Sequence, residues 1–420
     1  MEKNTIQIPA FTLNQKILIA ILALLQFTVI LDFMVISPLG DILMKTLDMT
    51  TANFGFAVSA YAFSAGASGL LAAGFADKFD RKKLLIFFYT GFIIGTFFCA
   101  LANSYETLLM ARIVTGLFGG VIGSVSLAIV TDLFMIQQRG RVMGFIQMAY
   151  ASSQILGIPV GLYFANNWGW HSSFIMIAIL GVFILIAIIT QMQPVNKHLE
   201  LQSDKNAFLH LWDTLSNKNY QIGFMAIAFL SVGGFMLQPF GTAFLVNNIH
   251  ISHLELPMVF FFTGLSVLFI MPIIGKLSDK VSKFKLFTGG SLLSIVMVVV
   301  YTNLGPVPLW QVVVLTMIMF MGIMSRMVPA TTLNTAIPDM KDRGAYMAIT
   351  SSLQQIAGGI AAVAAGFIVH QETKTSPLEN YDILGYVIAV VTFFSVFLIW
   401  RVDQLAKSKD KTIVVPATAA

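Results

Sequence analysis

Twelve apolar stretches, each long enough to cross a bilayer, run through the chain at about 17–40, 54–76, 84–102, 107–130, 143–165, 172–192, 221–246, 257–276, 285–303, 309–334, 344–369 and 382–401. A helix needs ~20 mostly apolar residues to span the hydrocarbon core, and in lipid its backbone polar groups must be satisfied internally. The stretches are continuous rather than alternating in ~10-residue segments, so they predict helices and exclude an outer-membrane β-barrel. Charged residues make up 11% of the 420 positions, less than half the ~25% of ordinary soluble domains. A soluble fold of two or three domains is thereby excluded. A disulfide-stapled fold is excluded as well, since Cys99 is the only cysteine.

Lysine and arginine sort by loop. Counting alternate connections, one face holds 21 of the 25, among them Lys78, Arg81, Lys82, Lys83, Arg139, Arg141, Lys276, Lys280 and Arg343. The other face holds only Lys45 and Lys374, and Arg112 and Arg326 lie within spans. Basic loops stay in the cytoplasm, so both termini are expected there and the span count must be even. This sorting also accounts for the net charge of +5 without any nucleic-acid partner. A polar first sixteen residues and an aspartate inside span 1 argue against a cleaved signal peptide.

The longest internal connection divides the spans six and six. We expect an N-terminal bundle over 1–192, a cytoplasmic linker over 193–220, a C-terminal bundle over 221–404 and a disordered tail over 405–420. The halves echo each other. Gly74-Phe75-Ala76-Asp77-Lys78-Phe79-Asp80-Arg81-Lys82-Lys83 follows span 2, and Gly275-Lys276-Leu277-Ser278-Asp279-Lys280 follows span 8. Span 5 opens after Arg139-Gly140 and carries Gln154-Ile155-Leu156-Gly157; span 11 opens after Arg343-Gly344 and carries Gln355-Ile356-Ala357-Gly358. Paired repeats with a site at their interface are a transporter architecture.

Residues 74–83 resemble the loop signature of the major facilitator superfamily, with Gly74, Asp77, Arg81 and Lys82 matching and Asp80 standing where glycine is usual. Arg112, Gly116 and Gly119-Gly120 resemble its span-4 pattern. Gly157, Pro159 and Gly161 resemble the span-5 antiporter motif, and Asp32 with Pro38-Leu39 the span-1 pattern of proton-coupled drug and sugar exporters. The resemblance implies an all-α membrane fold of two pseudo-symmetric six-helix bundles. It also implies a conformational latch of Gly74, Asp77, Arg81 and Asp132, in which Asp77 faces the start of span 11 and Arg81 pairs with Asp132.

A charge at mid-membrane costs at least ~2.5–3.5 kcal/mol, so each one is a candidate for function. Asp32 lies ~13 Å, and Arg112 ~8 Å, from the outer ends of their spans by helical rise. Their depths suit a pair, read either as a proton-coupling site or as a static structural ion pair. Arg326 lies deep in span 10 with no acid at its level in the second half; it contacts an anionic substrate group, opposes protonation elsewhere as a fixed cation, or is satisfied by backbone carbonyls near Pro329 and Pro338. Gln26, Gln147, Tyr150, Gln154, Gln238, Asn334, Gln354 and Gln355 are the uncharged candidates for a substrate cavity, some of which serve instead as interhelical hydrogen bonds.

No G-x-x-x-x-G-K-[ST] loop is present, so the proton gradient rather than ATP is the expected energy source, with no cofactor or metal. His250 and His253 read as outer-loop residues. No nucleophile and base pair up, which argues against an enzyme. The sequence therefore points to a monomeric, multi-pass transporter of a bacterial inner membrane, exporting a small amphipathic drug-like or sugar-like molecule against protons by alternating access. Proton-coupled import of a nutrient or metabolite, and a non-transporting receptor or scaffold, are the alternatives.

Overall fold

The computed structural model describes residues 11–73, 75–196, 199, 207–339 and 342–414; at some of these, Asp77 and Gln147 among them, only the backbone is described. Twelve membrane helices follow in order. They are α1 (Leu13–Val35), α2 (Thr51–Ala73), α3 (Arg81–Ala100), α4 (Tyr105–Leu133), a broken α5 (Ile136–Ser152, Ser153–Gly157 and Ile158–Trp168) and α6 (His171–Gln191). The second half supplies α7 (Lys218–Leu237), α8 (Leu256–Lys280), α9 (Lys283–Thr302), α10 (Leu309–Ser325 continued by Met327–Thr335), α11 (Arg343–Ile368) and α12 (Tyr381–Val414). Among the described residues, eleven stretches are long and apolar enough to cross a membrane unaided; α5, whose first half carries Gln137, Gln138, Arg139, Arg141 and Gln147, is not among them.

Polar residues set the helix starts. Thr12 and Gln15 close a reciprocal cap on α1, and Ser104 and Thr107 do the same on α4. Asp80, the departure from the loop signature, caps α3 by accepting a hydrogen bond from the Lys83 amide at 3.0 Å. The acid there thus substitutes a side-chain cap for the usual flexible residue. At its other end α12 does not stop near 401 but continues to Val414, steadied by an Asp403–Lys407 pair one turn apart at 2.5 Å. The helix thus runs through the first part of the stretch 405–420, and 415–420 lie outside the described residues.

In the first bundle α1 packs on α5 and α6, α2 on α4, and α3 on α4 and α6; in the second α7 packs on α11 and α12, α8 on α10, and α9 on α10 and α12. The bundles meet mainly through α2 against α11 and α5 against α8.

The buried apolar residues form three clusters whose arrangement defines the conformation. On the face bearing the basic loops there are two separate cores. One is built by the first half around Leu22, Tyr89, Ile122 and Ile188, the other by the second half around Phe224, Phe287, Tyr346 and Ile399. On the opposite face a single cluster joins residues of both halves, including Val35, Phe54, Leu108 and Phe174 with Phe240, Leu245, Ala362 and Tyr381. The molecule is therefore sealed between its halves on that opposite face.

Candidate functional site

Asp32 lies on α1 where three other helices converge. One carboxylate oxygen accepts from the Arg112 guanidinium of α4 at 2.7 Å, and the other accepts from the Thr96 hydroxyl of α3 at 3.0 Å. Arg112 Nη1 also reaches the Asp32 backbone carbonyl at 3.2 Å. Both side chains of the ion pair are fully buried. The remaining face of the guanidinium is covered by the Tyr61 ring of α2, 4.7 Å from the guanidinium carbon. Tight packing sets this geometry, since a Cβ at Gly116 would lie 2.5 Å from the Tyr61 carbonyl and one at Gly120 2.3 Å from that of Ala65. The glycines after Arg112 let α2 approach α4 closely enough for Tyr61 to reach it.

The antiporter-like motif flanks the same site. Pro159 has no amide hydrogen for a bond back to residue 155, and its ring crowds that carbonyl. The ladder responds by widening to a π turn over Ser153–Gly157. A side chain at Gly157 would meet Leu31 at 2.6 Å, and Gly161 faces Val35 at 3.2 Å. These two glycines seat α5 on α1 on either side of Asp32. On its other side the widened turn packs backbone-close to Gly264 of α8, so the motif touches both the ion pair's helix and the second bundle.

In the loop after α2, the Arg81 guanidinium is 3.2 Å from the Asp132 carboxylate and donates to the Ala76 carbonyl at 3.1 Å. Lys82 donates to the carbonyls of Ile189 and Met192 at 2.8 and 2.6 Å, capping the end of α6. Gly74 and the Asp77 side chain lie outside the described residues.

The uncharged candidates divide among several places. Gln238 lines a narrow cleft between the halves with Phe33, Ser37 and Val58 of the first and Phe235 and Pro239 of the second. Gln154 is buried within the π turn, and Tyr150 stands half-buried one turn before it. Gln26, Gln354 and Gln355 are half-buried; Gln26 points toward Gly123 of α4, and the Gln355 stem toward Gly66 of α2. The Gln147 side chain lies outside the described residues. Asn334 is buried and accepts from the Tyr346 hydroxyl at 2.7 Å, an α10–α11 bond within one bundle. Arg326 is also buried, at the joint of α10, where it donates to Thr392 of α12 at 3.3 Å and has no carboxylate partner among the described residues. Its contact is a hydroxyl rather than a backbone carbonyl, and it faces α12 rather than the other half.

Sequence reasoning missed Thr96 and Tyr61, neutral residues that gain meaning only from the charges they touch. It also missed a bridge on the sealed face. Asp41, in the short helix Gly40–Thr46 after α1, accepts from Lys45 at 2.7 Å, from Asn247 of the second half at 2.6 Å, and lies 3.1 Å from His253 Nε2. The His253 carbonyl in turn accepts from Asn166 at 2.8 Å, so His253 joins the halves rather than standing in a free loop. Burial works against the Asp41 charge, but hydrogen bonds from His253, Lys45 and Asn247 outweigh it and hold its pKa below the ordinary aspartate range.

Paired six-helix bundles sealed against each other on one face, with a buried ion pair inside the first, have the architecture of a multi-pass membrane transporter. The sequence profile of the Major Facilitator Superfamily matches residues 22–362, and the chain belongs to that family. It is 24% identical over 380 residues, 90% of its length and 95% of the relative's, to the uncharacterized MFS-type transporter YbcL of Bacillus subtilis (strain 168). A probable sugar efflux transporter of Haemophilus influenzae (strain PittGG) is 29% identical over 158 residues, covering 38% of this chain and 40% of the relative. In fold, the chain is similar to a bacterial homologue of the human lysosomal transporter Spinster in an inward-facing, unoccupied conformation. That match has a TM-score of 0.75 at 15% identity, over 97% of this chain and all of the other.

Proposed function

We propose that the protein is a proton-coupled exporter of a small amphipathic molecule, drug-like or sugar-like, working by alternating access in a bacterial inner membrane with the basic face in the cytoplasm. The observation that carries this reading is the fully enclosed Asp32–Arg112 pair, placed against the glycines of the antiporter-like α5 motif. A carboxylate removed from water is pushed toward its neutral form, while an adjacent guanidinium favours the charged form. A rearrangement that separates the two tips this balance, so proton occupancy follows conformation. Protons from outside load Asp32 as substrate leaves, and they exit inward once the outer face has sealed.

The name of the Haemophilus relative supports export. A thermal-shift panel of lipophilic dyes, neutral glycosides and organic cations would supply a ligand. Everted vesicles then read direction: an exporter accumulates that ligand when the vesicle interior is acidified. Release under the same gradient would show import, and no response to a gradient would remove proton coupling. Asp32→Asn is expected to keep ligand binding and lose uphill transport.

A further inference from the structure

The Asp32–Arg112 pair leaves Arg112 in an unusual position. Its side chain is fully buried, yet among the described residues its Nε and Nη2 atoms have no hydrogen-bond partner. Its oxygen acceptors among the described residues are both reached through Nη1, the Asp32 carboxylate and backbone carbonyl, and the Cys99 thiol lies beside it. When the carboxylate takes up a proton, the guanidinium keeps its charge in a dry site and loses its counterion. The other ionisable groups facing it are Cys99 of α3 and Tyr61 of α2, with Thr96 and Thr115 as neutral hydroxyls. Of these, only Tyr61 presents a π face to the cation.

We propose that Tyr61 is a positioning residue that holds the Arg112 cation over its ring while Asp32 is protonated, and passes that state to the second half of the molecule. The inference rests on the reading of Asp32 as the proton site. A ring face attracts a cation more strongly when both are desolvated, and the attraction matters most once the competing carboxylate is neutral. The Tyr61 ring is itself held from two directions. Close α2–α4 packing at Gly116 fixes its backbone, and Phe33 of α1 lies 5.2 Å away. Phe33 in turn touches Phe235 of α7 at 5.6 Å, and Phe235 fills the space left by Gly358 of α11. A shift of Arg112 toward Tyr61 is therefore felt through two rings at the wall of the cleft between the halves.

The test is a stability cycle on the full chain in detergent, which needs no substrate. Tyr61→Phe keeps the ring and Tyr61→Leu removes it; each is measured by thermal unfolding with Asp32 present and with Asp32→Asn. The ring-loss penalty, the Tm difference between the Phe and Leu variants, is expected to be several degrees larger in the Asp32→Asn background. With Asp32 present the penalty should also grow as pH falls, and it should be flat with pH in Asp32→Asn. A side chain that merely filled space would give equal, pH-independent penalties, and either equal penalties or a smaller one in Asp32→Asn overturns the proposal. Should Tyr61→Leu fail to accumulate, Tyr61→Met keeps the bulk without a ring face and carries the same comparison. The two readings fail separately, because proton-driven transport by Asp32→Asn would remove the proton site whatever the cycle shows.

Discussion

Asp32 and Arg112 stood out because charges are rare inside apolar runs, and helical rise alone brought them to neighbouring depths. What surrounds them was not legible. Thr96 is one hydroxyl among many, and its bond to Asp32 depends on how α3 rotates against α1, which no local pattern fixes. Thr96→Val removes a hydrogen bond to a charged acceptor, an interaction worth about 1.5–3 kcal/mol. The variant should unfold at lower temperature, with the loss shrinking in Asp32→Asn, where the acceptor is neutral. Arg112→Met is the harsher change, since it strands a buried carboxylate at a cost of about 3–5 kcal/mol. Combining it with Asp32→Asn should recover much of the lost thermal stability. Arg326 was equally conspicuous in the sequence, and its partner, the Thr392 hydroxyl of α12, was no more legible than Thr96.

Among the helices, α5 is the one whose details exceed its pattern. Pro159 on its own is compatible with a simple kink, and the widened turn is the form that packs between Leu31 and Gly264. Pro159→Ala restores the missing donor. It should raise amide-exchange protection across 153–160 and slow transport, because the straightened helix no longer matches both neighbours. The α2–α4 contact makes a plainer forecast. Gly120→Leu drives a side chain into the Ala65 backbone, and overpacking of this kind costs about 1–3 kcal/mol or more, read as a fall in Tm. The extent of α12 was missed because the continuous apolar run ends near 401, whereas beyond it Val402 still packs into the second-half core while Asp403 and Lys407 pair along the helix.

At the scale of the whole molecule, positive-inside sorting and weak internal repetition were enough to foresee two bundles. Which face was closed could not be read from them, since alternating access uses one sequence for both states. The closed face rests on the shared apolar cluster and on the Asp41 bridge to Asn247 and His253. In a Cys99→Ser background, Asp41→Asn should raise the labelling of a cysteine placed at Ser37, read with a membrane-impermeant thiol reagent from that face. The pH dependence has a definite sign. Asp41 is held below the ordinary aspartate range, so its contribution is present above the unfolded value of ~3.9 and is lost as pH falls through the lower folded value. Labelling of the same cysteine should therefore rise only in strong acid, and Asp41→Asn should abolish that rise.

The π turn at Ser153–Gly157 carries one more residue than an α turn, so α5 amounts to an α-helix with a single inserted residue. Deleting one residue there would close the ladder into ordinary turns. Because the widened turn absorbs that one residue, the flanks beyond it would keep their faces, with Gly161 still toward Val35, and what would be lost is the local bulge packed against Gly264. Relatives with an unbroken fifth helix should then align to this chain only across a one-residue gap at that turn, and the gap would mark where the two lineages parted in how α5 meets its neighbours.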